Sequence, residues 1–181
     1  EQPGTVHPFV MILGKSRVKY VEFTSRCDLS SLERCIVNAF SYFGGMPETV
    51  LTDNMKTVVT GREAGKPIWN TRFADFAVEL GFVPKVCRIR SPQTKGKVER
   101  LVRYVKDNFL PGRQFEDLED LNRQALCWCR QADGKIHHTT GKIPLRELAN
   151  EGLLKLPTQE TLDKYRWETR LVTRDGMVSF D

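Results

Sequence analysis

Strands that alternate with amphipathic helices after an opening hairpin predict an α/β protein, a mixed sheet covered by helices. Three features of the 181 residues lead there. Two strand-like runs open the chain across a short turn. Two helical periodicities follow, each closed by glycine, and short β-branched runs lie after them.

PFVMILG at 8–14 reads as a buried strand, and VKYVEFT at 18–24 as an alternating one after the turn at 14–17. Asp28 stands where an N-cap belongs, ahead of Leu32, Cys35, Ile36, Ala39, Phe40 and Phe43 at helical spacing. Gly44 and Gly45 stop that helix. ETVLT at 48–52 is a short strand running into Asp53 and Asn54, a turn dipeptide. Trp69, Phe73, Phe76, Ala77 and Leu80 mark a second helix before Gly81, and 83–89 reads as another strand. SPQTKG at 91–96 is a loop by composition. A third helix is predicted from about 97 to 110, closed by Pro111 and Gly112, and a fourth from about 115 to 132. Past Pro157 the chain reads as polar and strand-like, and Arg174, Asp175 and Gly176 separate two short strands at 170–173 and 177–180. A lone hairpin is marginal in water, so the tail is expected to open a small β domain that is cut off partway.

The formal charge of +5 and a hydrophobic share of 40% are those of a soluble globular chain. The longest apolar run, at 9–13, is too short to span a bilayer, and no charged-then-apolar leader is visible. Membrane and export readings are therefore set aside. Five cysteines without CxxC spacing argue against a disulfide framework and a zinc knuckle, which makes a reducing cytoplasm the expected location. His137 and His138 read as part of a turn that fastens the last core helix. With no cysteine or aspartate cluster around them, a metal site is not expected there. No P-loop or GxGxxG is present, and no Ser-His-Asp or Cys-His arrangement.

Charge is concentrated in one segment. Between 84 and 114, nine basic residues face two acidic ones, and the rest of the chain is slightly acidic. Such a cluster fits a phosphate-backbone partner, and charge alone leaves a solvated helix face equally open. At ~100° per residue, Val98, Leu101, Val102, Val105 and Phe109 form one apolar stripe, and Lys95, Glu99, Arg103 and Lys106 form a second beside it. A helix packed by the first stripe holds Glu99 at the rim of the sheet, near strand ends such as Asp53. Carboxylates converging from separate elements suit hard divalent cations, and two such ions suit phosphodiester chemistry. Spacing alone also allows Asp53 to be a turn residue and Glu99 a salt-bridge partner of Lys95 and Arg103.

Four stretches carry a family resemblance: FVMILGKSRVKYVEF at 9–23, VLTDNMKT at 50–57, SPQTKGKVERLVRYVKDNF at 91–109, and HHTTGKIP at 137–144. In this order and spacing the chain resembles the DDE recombinases with a ribonuclease-H-like core, the retroviral integrase and transposase superfamily. It is most similar to the IstA-type transposases of bacterial insertion sequences. The resemblance implies a ribonuclease-H-like mixed sheet flanked by helices at 1–150. A linker and the first hairpin of a truncated small β-barrel would then occupy 151–181.

It implies that Asp53 and Glu99 are the second and third carboxylates of a metal-binding triad for two Mg²⁺ or Mn²⁺ ions. Arg103 and Lys106, one and two turns past Glu99, match positions that hold a DNA end, and Lys95, Lys97 and Lys56 are further candidate phosphate contacts. The family's first aspartate lies on a strand ahead of the one at 9–13, so that strand and its aspartate are expected to be absent here. The implied activity is hydrolysis at the 3′ ends of a mobile element, followed by direct attack of the freed 3′-OH on target DNA, with no covalent protein–DNA intermediate. The implied partners are element ends, target DNA, further copies of the chain and a separate AAA+ helper ATPase, in a bacterial cytoplasm at the nucleoid. Two other readings remain open: a catalytically incomplete DNA-binding or assembly module of the same fold, and a structure-specific nuclease that cuts without joining.

Overall fold

The computed structural model describes residues 5–87 and 92–167, with the backbone alone for 92–98. Strands β1 (His7–Ile12) and β2 (Lys19–Thr24) pair antiparallel, His7 opposite Thr24 and Ile12 opposite Lys19. Helix α1 (Leu29–Phe43) begins where its cap predicts. The Asp28 carboxylate accepts the Ser31 N–H at 2.7 Å. The helix ends as Gly44 turns left-handed at φ 74°, and the N–H groups of Gly44 and Gly45 return to the carbonyls of Ser41 and Phe40. Gly45 has a second reason to be glycine. A Cβ there would meet the Leu153 Cβ at 2.7 Å, beside the bridge between Met46 and Leu154.

Strand β3 (Thr49–Thr52) runs parallel to β6 (Val83–Val86), and helix α2 (Thr71–Leu80) lies between them in the chain. Ahead of α2, β4 (Val59–Glu63) and β5 (Lys66–Trp69) form an antiparallel hairpin that the sequence reading missed. Trp69 therefore ends a strand rather than starting the helix, and Asn70 caps α2 through the N–H groups of Arg72 and Phe73. The hairpin turn has Ala64 at φ 47° and Gly65 at φ 79°, a pair of left-handed residues that usually signals Asn-Gly or Asp-Gly. Ala-Gly hides that signal.

Helix α3 (Pro92–Asn108) starts in the stretch expected to be a loop, because proline at a first helical turn loses no hydrogen bond. Helix α4 (Leu118–Asp133) follows, capped by Asp117 onto the Asp120 N–H, and a short α5 (Pro144–Glu147) runs into a 3₁₀ turn at Leu148–Asn150. The polar stretch after Pro157, expected to be strand-like, instead forms helix α6 (Gln159–Arg166). Thr158 caps it, and Leu162 is buried in the core that α1 and α2 share. The hairpin expected at 170–180 lies outside the described residues.

Helices cover both faces of the sheet strands. On one side Ile36 and Phe40 of α1, Phe73 and Phe76 of α2 and Leu162 pack around Val50 of β3. On the other, Leu101 and Val105 of α3, Phe109 just past its end, and Leu121 and Cys129 of α4 pack on Val21 and Phe23 of β2. Every residue of β2 is buried, as both-sided covering requires. The expected mixed pairing is present, but the described strands form three separate pairs rather than one continuous sheet.

Side chains of α4 close the outer edge of β2. The Asn122 amide accepts the Phe23 N–H at 2.6 Å and donates to the Phe23 carbonyl at 2.9 Å, while Asp133 accepts the Lys19 N–H at 3.0 Å. Those bonds occupy backbone groups near both ends of β2 that another strand would otherwise pair with.

Candidate active site

Asp53 directly follows β3 and is exposed. One of its oxygens takes the Asn54 N–H at 2.9 Å, and the other has no partner among the described residues. Beside it, the Cys87 N–H donates to the Thr52 carbonyl at 3.0 Å and extends the β3–β6 ladder to the strand ends. The parallel pairing thus sets Asp53, just after β3, and Cys87, just after β6, at the same end of these two strands, and α3 follows in the chain from Pro92.

Glu99, Arg103 and Lys106 lie on the exposed side of α3, within about 60° of arc. Leu101, Val105 and Phe109, on the other side, are 4%, 1% and 1% exposed. The members of the two stripes from Glu99 onward thus lie as the sequence predicts, while the side chains of Lys95 and Val98 fall outside the described residues. Arg103 and Lys106 make no ion pair among the described residues, so Arg103 is not a salt-bridge partner of Glu99. Lys95 and Lys97 stand on the described backbone of α3, with side chains outside the described residues. Lys56 is exposed in the turn after Asp53 and has no ion pair among the described residues.

Among the described residues no group of three or more His, Cys, Asp or Glu side chains gathers as a metal cluster. Asp53 and Glu99 are nevertheless exposed carboxylates on separate elements, the donor type that a hard divalent ion takes. Nucleophilic cysteine chemistry has no support in the buried thiols. Burial pushes the Cys129 thiol up to about 12 and the Cys35 thiol higher, so neither ionises near neutral pH. His137 belongs to the expected turn, its N–H donating to the Lys142 carbonyl at 2.8 Å.

A cleft of about 400 Å³ elsewhere, between α1, α2 and the end of α6, is lined by Arg26, Arg34, Arg72, Lys164, Arg166 and Trp167. Its cations come from distant parts of the chain, so no run in the sequence reveals it. Most are already neutralised: Arg72 by Glu33 at 2.5 Å, Arg26 by Asp28 at 3.0 Å, Lys164 by Glu79 at 2.8 Å and Arg166 by Asp163 at 3.2 Å. The basic face of α3 has no such compensation at Arg103 and Lys106.

The integrase core domain family matches residues 1–92. Over 95% of its length the chain is 46% identical to a protein of the insertion sequence element IS5376 from Geobacillus stearothermophilus, and covers 43% of that protein. It is 36% identical over 97% of its length to the transposase for an IS21-like element of Bacteroides fragilis, covering 34% of it. To the IS21 transposase of Pseudomonas aeruginosa it is 40% identical over 93%, covering 44%. The chain thus spans less than half the length of these curated relatives. In structure it resembles a chain of the simian T-cell lymphotropic virus intasome in complex with the PP2A regulatory subunit B56 gamma. The TM-score is 0.55 at 17% identity, over 86% of this chain and 56% of the other, a likeness of fold. Sequence similarity along nearly the whole chain and a shared ribonuclease-H-like fold lead to one assignment: the chain belongs to the integrase core family, among the transposases of IS21-type insertion sequences.

Proposed function

We propose that this chain is the catalytic core of a DNA transposase that cuts the 3′ ends of its element and joins them to target DNA with divalent metal ions. The observation that carries the proposal is the build of α3. Its buried stripe fixes Glu99, Arg103 and Lys106 on one exposed face, and Asp53 is a second exposed carboxylate, directly after β3. Relatives named as transposases along nearly the whole chain support the same reading.

In this reading Asp53 and Glu99 hold Mg²⁺ or Mn²⁺, which when bound activates the attacking oxygen and stabilises the leaving one. Arg103 and Lys106 hold the phosphates of the DNA end against that face, with Lys95, Lys97 and Lys56 as further contacts. Their role is to bind and orient, and positioning alone can supply a large share of such a rate enhancement.

Among the described residues, β1 and β3 are each laddered on one edge only. Phe9 and Met11 of β1 pack on the cluster that contains Val50 of β3, so the two pairs share a core. Action as a multimer on paired DNA ends, with an AAA+ helper ATPase, belongs to the same proposal.

In the complete enzyme, Asp53→Asn and Glu99→Gln are each expected to abolish end cleavage and strand joining while leaving folding and DNA affinity near wild type. Both keep side-chain shape and delete the charge that holds the metal. Joining at near wild-type rate by either variant, in Mg²⁺, refutes the assignment. Cutting without joining by the parent enzyme favours a structure-specific nuclease.

A further inference from the structure

Between Asp53 and α2 the chain leaves the core as the β4–β5 hairpin, and its construction is that of a rigid projection. Its root is fixed: Val58 is fully buried, Trp69 stacks on Phe73 with centroids 6.0 Å apart, and the Asn70 N–H donates to the Val58 carbonyl at 2.8 Å. Its tip, from Arg62 to Lys66, is exposed throughout. At ~3.3 Å per residue the five residues of β4 carry the tip about 13 Å from the root, the length of about four base steps.

Arg62 ties this projection to the candidate site. Its guanidinium donates to the Asn54 side-chain oxygen at 3.1 Å and to the Gly65 carbonyl at 3.2 Å, joining the residue next to Asp53 to the hairpin turn. The hairpin therefore moves with the Asp53 turn. Lys66 sits opposite Glu63 in the ladder, and neither makes an ion pair among the described residues. With Lys56 at the base, three cations and one acid lie along this stretch outside Asp53.

We propose that the β4–β5 hairpin is a docking surface for the phosphate backbone of target duplex DNA, with Lys66 as its phosphate contact and Arg62 as the residue that positions it. The proposal rests on the transposase reading above. Target DNA is the occupant by charge and place: the stretch from Lys56 to Lys66 carries three cations against one acid, and Arg62 ties it to the turn beside Asp53, where joining would occur. The Arg62 fork is itself committed to Asn54 and Gly65. Phosphate contacts of this kind position a duplex without selecting its sequence. The contact is also continuous with the site at which the joined phosphate would lie.

The test uses the complete enzyme and two opposed charge changes at exposed positions. Lys66→Glu is expected to weaken joining to a plasmid target, and Glu63→Lys to strengthen it, with 3′-end cleavage unchanged in both. Each phosphate contact adds about 0.9 to the log–log salt slope, so between 50 and 200 mM salt one contact is worth about 3.5-fold in apparent target affinity. Glu63→Lys makes the outcome decisive, since damage to the fold cannot produce a gain. Joining unmoved by both variants overturns the proposal. Cleavage that changes in parallel with joining overturns it in favour of the element end, and a changed oligomeric state overturns it in favour of a second copy of the chain. Asp53→Asn, run alongside, separates the failures: if it retains joining, the transposase site is misplaced whatever the hairpin does.

Discussion

Replacing Arg103 and Lys106 together by alanine removes two uncompensated cations from the face of α3 without touching what anchors the helix. Both are exposed, neither has an ion pair among the described residues, and alanine is the best helix former. If each holds one phosphate, the salt slope of duplex binding falls by about 1.8, since each contact contributes about 0.9. Between 50 and 200 mM salt the wild-type enzyme should then lose about 12-fold more affinity than the variant. The assay is fluorescence anisotropy of a labelled duplex with the complete enzyme across that salt range. A contrasting variant is Phe109→Ala on the buried stripe. Phe109 is 1% exposed and stacks on Phe23 at 5.8 Å, so its loss should cost about 3–5 kcal/mol of stability with no change of slope. An unaltered slope in the double variant would show that the face is merely solvated, and the phosphate-binding reading of α3 would fall.

Two further expectations concern stability. Asp133→Ala should cost about 3–5 kcal/mol, because it leaves the buried Lys19 ammonium without a counter-charge and its N–H without an acceptor. At about 2–4 °C per kcal/mol the melting temperature should fall by about 6–20 °C, and a loss under about 1 kcal/mol would mean the pair is hydrated. Glu151 predicts an acid-side dependence. Burial disfavours its charge, and bonds from Ser16 and Lys15 more than offset that, so its carboxyl is held below the usual 4.5. A folded-state value below the unfolded one makes this contribution complete above pH 4.5 and lost as pH falls through the folded value. Glu151→Gln should therefore flatten the acid limb of the stability profile measured by urea unfolding, and an unchanged limb would remove Glu151 from that role.

What the sequence determined by itself was local. Asp28 and Gly44 bound α1 because a cap is satisfied within three or four residues, and the two stripes of α3 are legible because helical periodicity needs no partner. Asp53 and Glu99 were legible as candidates for the same reason, one at a strand end and one on a periodic face. The tertiary structure decided the rest. The stretch 159–166 is polar enough to read as anything, and it becomes a helix because Leu162 finds the core of α1 and α2. The β4–β5 hairpin escaped notice because its turn uses alanine in a left-handed conformation, which only the packing of its root makes tolerable. The edge of β2 is closed by Asn122 and Asp133, the latter 114 residues from Lys19. Caps and periodicities are written within a few residues of one another, whereas a buried ion pair or a strand edge is defined only when distant segments meet and exclude water.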